Sequence, residues 1–329
     1  MAHKILKAPI SSKTIESLIK RGLGSGIKVI RSQPIRGGLF NTSYQIELAD
    51  QRMVVLRVAP PNDKKLLGVE KQLLKREVYI NRYLRGTGIP VPQLLFSDFT
   101  RKLIDRDYVI SEFSEGQTLH YQQKYLTEKE MDHIYRELGG YARQIHSLAN
   151  KGKWFGYPPP FGRHKRWSDF IAKYVLSLEE DLKGHPYLCL PQEYSLSTMA
   201  RRMAPLLDKV KTPRLIHGDL WLRNILVRKQ HSHYQIAAIL DWDRSLWGDP
   251  YFEWILYGTD PNQSFWEAYG KTMPALKEAA YMRVLLYKAC GALQAALEDS
   301  IHFGLKKNAG IMFGYALRDL KELSKRLYI

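Results

Sequence analysis

"LIHGDLWLRNILV", residues 215–227, sets His217, Asp219 and Asn224 in an otherwise apolar run, with four residues between the aspartate and the asparagine. Gly, Asp and Asn are ordinary turn formers, so the plain reading is a turn joining two core segments. The chemical reading is a loop that handles a metal and a phosphate. The residues beyond Asn224 bear on the choice. "ILVRK" and "YQIAAIL" are apolar strand-like runs joined by the polar "QHSH", which predicts an antiparallel hairpin. The residue before the first strand and the residue after the second then share one open end. Those residues are Asn224 and Asp241. An amide oxygen beside a carboxylate suits a hard cation such as Mg2+, which keeps waters and substrate phosphates as its remaining ligands. Asp219 stands at the same mouth.

The composition sets the frame for that loop. A chain of 329 residues, 45% hydrophobic and 25% charged, has the size and balance of an enzyme with two lobes. No apolar stretch is long enough to span a bilayer, and "MAHKILKAPISS" lacks the apolar run of a secretory leader. Cys189 and Cys290 match no metal spacing and read as reduced core thiols. A cytoplasmic monomer or homodimer is expected, with no membrane partner. The formal net charge of +17 attracts anions, but the excess is spread along the chain. "GRHKRW" and "RKQHSH" are only short clusters, and no recognition helix or zinc finger stands out, so specific nucleic-acid binding is not expected.

The chain changes character near its first third. "IKVIRSQPI" (27–35), "TSYQIEL" (42–48) and "RMVVLRVA" (52–59) predict strands, followed by a helix over about 69–85. Two more strands, 93–98 and 106–113, lead to Gly116. Beyond it, Thr127 and Glu130 form a capping box that opens a helix to about 149. Further helices are expected over 167–183 and within 262–328, and "WFGYPPPFG" (154–162) reads as a structured loop.

Two residues of the β-rich part are out of character. Arg57 interrupts the apolar run "RMVVLRVA", and Glu77 falls on or beside the buried stripe of the 69–85 helix. Each alone reads as a snorkelling edge residue. Together they suggest an ion pair whose guanidinium is free to hold phosphate oxygens. "RGGLFNTS" (36–43) supplies a glycine turn whose backbone N–H groups suit an anion.

The order of these stretches resembles the aminoglycoside phosphotransferase and choline-kinase-like superfamily, distant relatives of the protein kinases. "GGLFNTSY", "VVLRV", "KREVYINRYL", "GIPVPQLL", "ISEFSEGQTL", "QIHSL", "HGDLWLRN", "LDWD" and "GDPYFEW" carry the likeness over about residues 35–255. The resemblance implies an α+β, protein-kinase-like fold of two lobes. Residues 1–113 would form a nucleotide-binding lobe and 114–329 a helical catalytic and acceptor-binding lobe. It implies ATP (or GTP) and Mg2+ as cofactors, and a small-molecule hydroxyl as acceptor. Asp219 matches the catalytic aspartate, and Asn224 and Asp241 match the metal ligands. Glu77 matches the small-lobe glutamate, and Ser111, Glu112 and Phe113 fall in the hinge whose backbone reads the nucleobase.

The remaining expectations follow from that fit. The base would lie against Ile35, Val55 and Ile239, and the loop holding Gly37, Gly38, Asn41, Thr42 and Ser43 would close over the phosphates. His146 and His217 read as structural, with Asp249 bracing the same loop. Arg57 departs from the lysine of protein kinases, and Arg223 is expected to point to solvent. The helical lobe would form the acceptor pocket, with Trp247, Tyr251, Trp254, Tyr257, Trp266 and Tyr269 mainly in its core. Asp243, Asp249, Glu253, Asp260 and Glu267 leave a local acidic pocket open. An antibiotic kinase is the leading expectation. A metabolic kinase for an amino alcohol or sugar, or a nucleotide-binding protein without turnover, are the alternatives.

Overall fold

In strands β2 (Thr42–Leu48) and β3 (Met53–Val58) burial alternates residue by residue, so each strand has two distinct faces. Tyr44, Ile46, Leu48, Val54, Leu56 and Val58 turn to one side, where they are buried. A helix that the sequence reading missed, α1 (Ser12–Leu23), covers that side with Ile15, Leu18 and Ile19. Ser11 caps it by accepting from Thr14 N at 3.1 Å. Ser43, Val55 and Arg57 turn to the other side, which faces the rest of the molecule.

The computed structural model describes residues 6–35, 38, 40–62, 65–157, 159–231, 233–253, 256, 261–270 and 277–327. With β1 (Val29–Pro34), β4 (Leu94–Asp98) and β5 (Tyr108–Glu112), the small lobe is an antiparallel sheet of order β1-β2-β3-β5-β4. In its register Arg57 lies between Ser43 and Val109, and Val55 between Gln45 and Ser111.

The helix expected over 69–85 is broken at its start. A 3₁₀ turn, Gly68–Glu70, is followed by Gln72 in the left-handed region (φ 61°), and α2 spans Leu73–Leu84. The cause is anchoring to the other lobe. Glu70 accepts from Leu67 N at 2.8 Å and faces His302 Nε2 at 2.8 Å. Gly68 N donates to Asp181 Oδ2 at 2.9 Å. Helix α2 then packs on the 3₁₀ turn Trp242–Arg244 of the large lobe.

After Gly116 the chain makes β6 (Gln117–Thr118), α3 (Leu119–Gln122) and α4 (Glu128–Ser147). The capping box forms as read: Thr127 Oγ1 accepts from Glu130 N at 3.3 Å, and Glu130 Oε2 accepts from Thr127 N at 2.8 Å. Helices α5 (Trp167–Leu182), α6 (Leu196–Leu207), α7 (Gln263–Tyr269), α8 (Glu278–Ile301) and α9 (Lys306–Leu327) complete the large lobe. Helix α6 is another element the sequence reading did not find. Cys290 is buried in α8, as expected of a core thiol, but Cys189 is exposed on a loop. No described helix is long and apolar enough to cross a membrane.

Among the helices run β7 (Arg214–Ile216), β8 (Ile225–Gln230), β9 (His233–Ile239) and β10 (Leu246–Gly248). The predicted hairpin is present, with Ile225 opposite Ile239. Leu240 N donates to Asn224 O at 2.8 Å, which extends the ladder and holds the two chain ends together. Strand β10 pairs with β7 and feeds the segment that frames the loop from the other side.

Helix α4 approaches α7 through a glycine. A Cβ on Gly139 would stand 2.2 Å from Phe265 O, whereas one on Gly140 would meet nothing within 4 Å. Gly139→Ala is therefore expected to lower stability by about 1–3 kcal/mol. Gly140→Ala should raise it by roughly 0.5–1 kcal/mol through helix propensity alone. Urea unfolding of the two variants checks this, and equal effects would contradict the close approach.

Candidate active site

Strand alternation sends Arg57 into the cleft between the lobes, where it is only 13% exposed. Its Nη2 donates to Glu77 Oε2 on α2. Its Nη1 donates to Asp241 Oδ1 at 2.7 Å, across 184 residues of chain. The ion pair expected from sequence is present, and the structure adds a second carboxylate to it. A buried guanidinium without acceptors is costly, so both acids fix its plane.

Asp241 follows β9 in the left-handed region, at φ 58°, a conformation that Asp tolerates better than most residues. Asn224, across the hairpin end, is buried. Its Nδ2 donates to Asp219 O at 2.9 Å and to Asp219 Oδ2 at 2.8 Å. The amide nitrogen is thus committed to Asp219, which leaves Oδ1 as a ligand atom. Asn224 Oδ1 and the Asp241 carboxylate at the same hairpin end are hard oxygens of the kind that could hold a Mg2+ ion.

The loop between β7 and β8 is held from beneath by Glu253, which is fully buried. Its Oε2 accepts from His217 N at 2.7 Å and its Oε1 from Gly218 N at 3.0 Å. His146 Nε2 faces the same carboxylate at 3.4 Å, and His146 Nδ1 lies 2.8 Å from Tyr269 Oη. His217 Nε2 lies 2.9 Å from Leu240 O, which ties the loop to the hairpin end. Both histidines are therefore structural, as expected. Burial lowers the pKa of His217.

Several expectations change. The brace assigned to Asp249 belongs to Glu253. Asp249 instead accepts from Arg283 Nε at 2.8 Å and Tyr287 Oη at 3.1 Å, and so anchors α8. Thr42 does not face the phosphate loop. Its side chain lies on the α1 face, where Oγ1 accepts from Ala8 N at 3.2 Å and Arg106 Nη2 at 3.3 Å. Ile239 is wholly buried in the large-lobe core, so the apolar side chain beside Gly116 is the half-buried Leu226. Glu112 N and Phe113 N donate to Gln93 O and Met53 O. Ser111 keeps the cleft-facing side of β5, opposite Val55. At the crossing, the N–H groups of Ser114 and Glu115 donate to nothing among the described residues.

Of the phosphate loop, Gly37 lies outside the described residues. Gly38 is exposed, and Asn41 is buried with its Oδ1 lacking a partner among the described residues. Arg223 is exposed, its guanidinium 5.2 Å from the Trp221 ring centre. The acids considered for an open acidic pocket are mostly taken. Asp249 and Glu253 have the partners just described, Glu267 accepts from Arg136 Nη1 at 3.2 Å, and Asp243 is buried. Trp247 and Tyr269 are core residues, whereas Trp254, Tyr257 and Asp260 lie outside the described residues.

Burial pushes the Asp219 carboxyl up to about 8, against the pull of Arg244 and with Asp243, Asp241 and Glu298 adding to the rise.

The match to known proteins falls on these residues. The model of the phosphotransferase enzyme family matches residues 31–279. The chain belongs to the phosphotransferase enzyme family. It is similar in structure to aminoglycoside phosphotransferase APH(4)-Ia, with a TM-score of 0.64 and 17% identity over 94% of this chain and 99% of the other. It is also similar to the streptomycin–ATP complex of APH(2")-IIa, at 0.61 and 15% over 95% and 99%. A candidate fructosamine-3-kinase from Thermobifida fusca gives 0.64 and 17% over 95% and 100%. These likenesses establish the shared two-lobe α+β fold. Among curated sequences, acyl-CoA dehydrogenase family member 10 of Mus musculus is 25% identical over 65% of this chain. Family member 11 of Rattus norvegicus is 24% identical over 70%. The matches take in only 19% and 28% of those longer proteins.

A raised carboxyl pKa has a stability consequence. The folded protein holds a proton on Asp219 that the unfolded chain releases near 3.8, so stability falls as pH rises between 3.8 and about 8. Asp219→Asn removes this loss and keeps an acceptor for Asn224. The melting temperature of the variant should exceed wild type by a margin that grows from pH 5 to pH 9, on the order of a few degrees. Thermal melts across that range test it, and a margin independent of pH would contradict the shift.

Proposed function

We propose that the protein is an ATP- or GTP-dependent O-phosphotransferase that moves the γ-phosphoryl group to a hydroxyl of a small molecule. The observation that carries this reading is convergence. Arg57, Glu77, the loop of Asp219 and Asn224, and Asp241 come from four places in the chain and meet at one cleft: Arg57 is paired with Glu77 and Asp241, Asn224 is bonded to Asp219, and Leu240 N on Asn224 O ties the two groups together.

The roles follow from the chemistry of each group. Arg57 keeps its plane through Glu77 and presents N–H donors to the non-transferred phosphates. Asn224 Oδ1 and Asp241 would hold Mg2+, which when bound neutralises phosphate charge. In its ionised form Asp219 orients the acceptor hydroxyl and takes its proton as the new O–P bond forms. The bond from the γ-phosphorus to the bridging oxygen breaks, and its electron pair leaves with the nucleoside diphosphate. Positioning and charge neutralisation supply most of the acceleration in such a reaction.

A polycationic aminoglycoside needs free carboxylates, yet Asp249, Glu253 and Glu267 already have cationic or backbone partners. Together with the +17 charge, this favours a metabolic acceptor over a polycationic antibiotic. The mouse and rat relatives are named as acyl-CoA dehydrogenase family members, which is in keeping with a metabolic role.

Asp219→Asn should lower turnover by about 10²–10⁴-fold while Mg-nucleotide affinity is kept. Asp241→Ala should lose both. ADP release and nucleotide titration measure the two quantities, and an Asp219→Asn enzyme with more than about a tenth of wild-type turnover would overturn the assignment. Arg57→Ala and Glu77→Ala should each raise the KM for ATP, with the double variant little worse than either, because the pair acts as a unit. Additive effects would separate them.

A further inference from the structure

Arg244 is a cleft residue that the phosphate chemistry does not use. Its backbone runs against the catalytic loop: a Cβ on Gly218 would stand 2.3 Å from Arg244 O. The next hydroxyl, Ser245 Oγ, donates to His217 O at 3.0 Å. The Arg244 backbone therefore lies against the residue before Asp219, and Arg244 is the cation with the largest pull on that carboxyl, while Glu298 and Asp243 also act on Arg244.

The guanidinium is anchored at one nitrogen only. Nη1 donates to Glu298 Oε1 of α8 at 2.7 Å. Gln294 Nε2 donates to the same Glu298 oxygen at 2.8 Å, and Tyr174 Oη donates to Gln294 Oε1 at 2.9 Å. This chain of bonds fixes the guanidinium plane while Arg244 and Glu298 each keep 19% exposure. Nε and Nη2 donate to nothing among the described residues. They form the parallel two-donor edge that grips carboxylates elsewhere in this protein. Arg52 holds Asp50 Oδ2 that way at 2.9 and 2.7 Å, and Arg166 holds the two Asp169 oxygens at 3.1 and 2.7 Å.

A second cation stands behind it. Arg76 is fully buried against the Tyr157 ring at 4.0 Å and donates to the carbonyls of Val69 and Pro159, each at 3.0 Å. No described carboxylate is hydrogen-bonded to it, and the buried Asp243 is the carboxylate that acts on its charge.

We propose that the acceptor is a hydroxylated carboxylate, seated with its carboxylate on the Nε/Nη2 edge of Arg244 and its hydroxyl at Asp219. This rests on the phosphotransferase reading above and names the substrate class of the same site. A planar two-oxygen anion matches the open edge in shape and charge. An ammonium group does not.

The test is a panel of short hydroxy carboxylates, each paired with its primary amide, offered with Mg-ATP and read by ADP release. At least one acid should exceed its amide in kcat/KM by about tenfold or more, the worth of a charged hydrogen-bonded pair. Arg244→Gln should erase that preference mainly through KM, and Arg244→Lys should restore part of it. The acid-to-amide ratio needs only the wild-type protein, so a variant that fails to fold leaves the test intact. Equal use of acids and amides, or preference for aminoglycosides, overturns the proposal. No acid used by a protein that still binds Mg-ATP overturns it too and leaves the phosphotransferase reading standing. Failure to bind Mg-nucleotide would remove that underlying reading as well.

Discussion

One guanidinium joins the two lobes at the point where chemistry is expected. Arg57 leaves a sheet whose other face is packed on α1, and it donates to Glu77 of α2 and to Asp241 of the β8–β9 hairpin end. Both neighbours are themselves fixed. Helix α2 is pinned to the large lobe through Glu70 and Gly68, and Asp241 follows a hairpin held closed by Leu240 and Asn224. The cleft geometry therefore depends on long-range contacts that bring a strand of the small lobe over a loop of the large one. An arginine suits this place better than a lysine, because its fork satisfies two carboxylates at once.

The same logic runs through the loop that carries Asp219. A fully buried carboxylate, Glu253, takes two backbone N–H groups and faces a histidine, so the loop cannot shift without exposing an unpaired charge. Burial then raises the Asp219 pKa toward neutrality. That rise costs stability as the pH increases, because the unfolded chain releases the proton first.

How much of this was legible in the sequence depended on whether the signal was local. The hairpin around "QHSH", the capping box at Thr127 and the odd polarity of Arg57 and Glu77 are local patterns, and each appears in the fold as read. Helix α1 was missed because its amphipathic stripe lies ahead of the strands that cover it. Thr42 and Ile239 were misplaced because strand alternation, which sequence proximity to a motif does not reveal, turns them away from the cleft. Glu253 offered only an acid inside "GDPYFEW". Its partners, His146 and His217, lie 107 and 36 residues away. Arg244 gave no signal at all, since its open edge is defined by Glu298, Gln294 and Tyr174.

The most direct test of the account is the structure of the protein crystallised with Mg2+ and a non-hydrolysable ATP analogue. The account predicts the cation on Asn224 Oδ1 and Asp241, with Arg57 still on Glu77 and its other donors on phosphate oxygens. A cation held by other side chains, or phosphates bound away from Arg57, would contradict it.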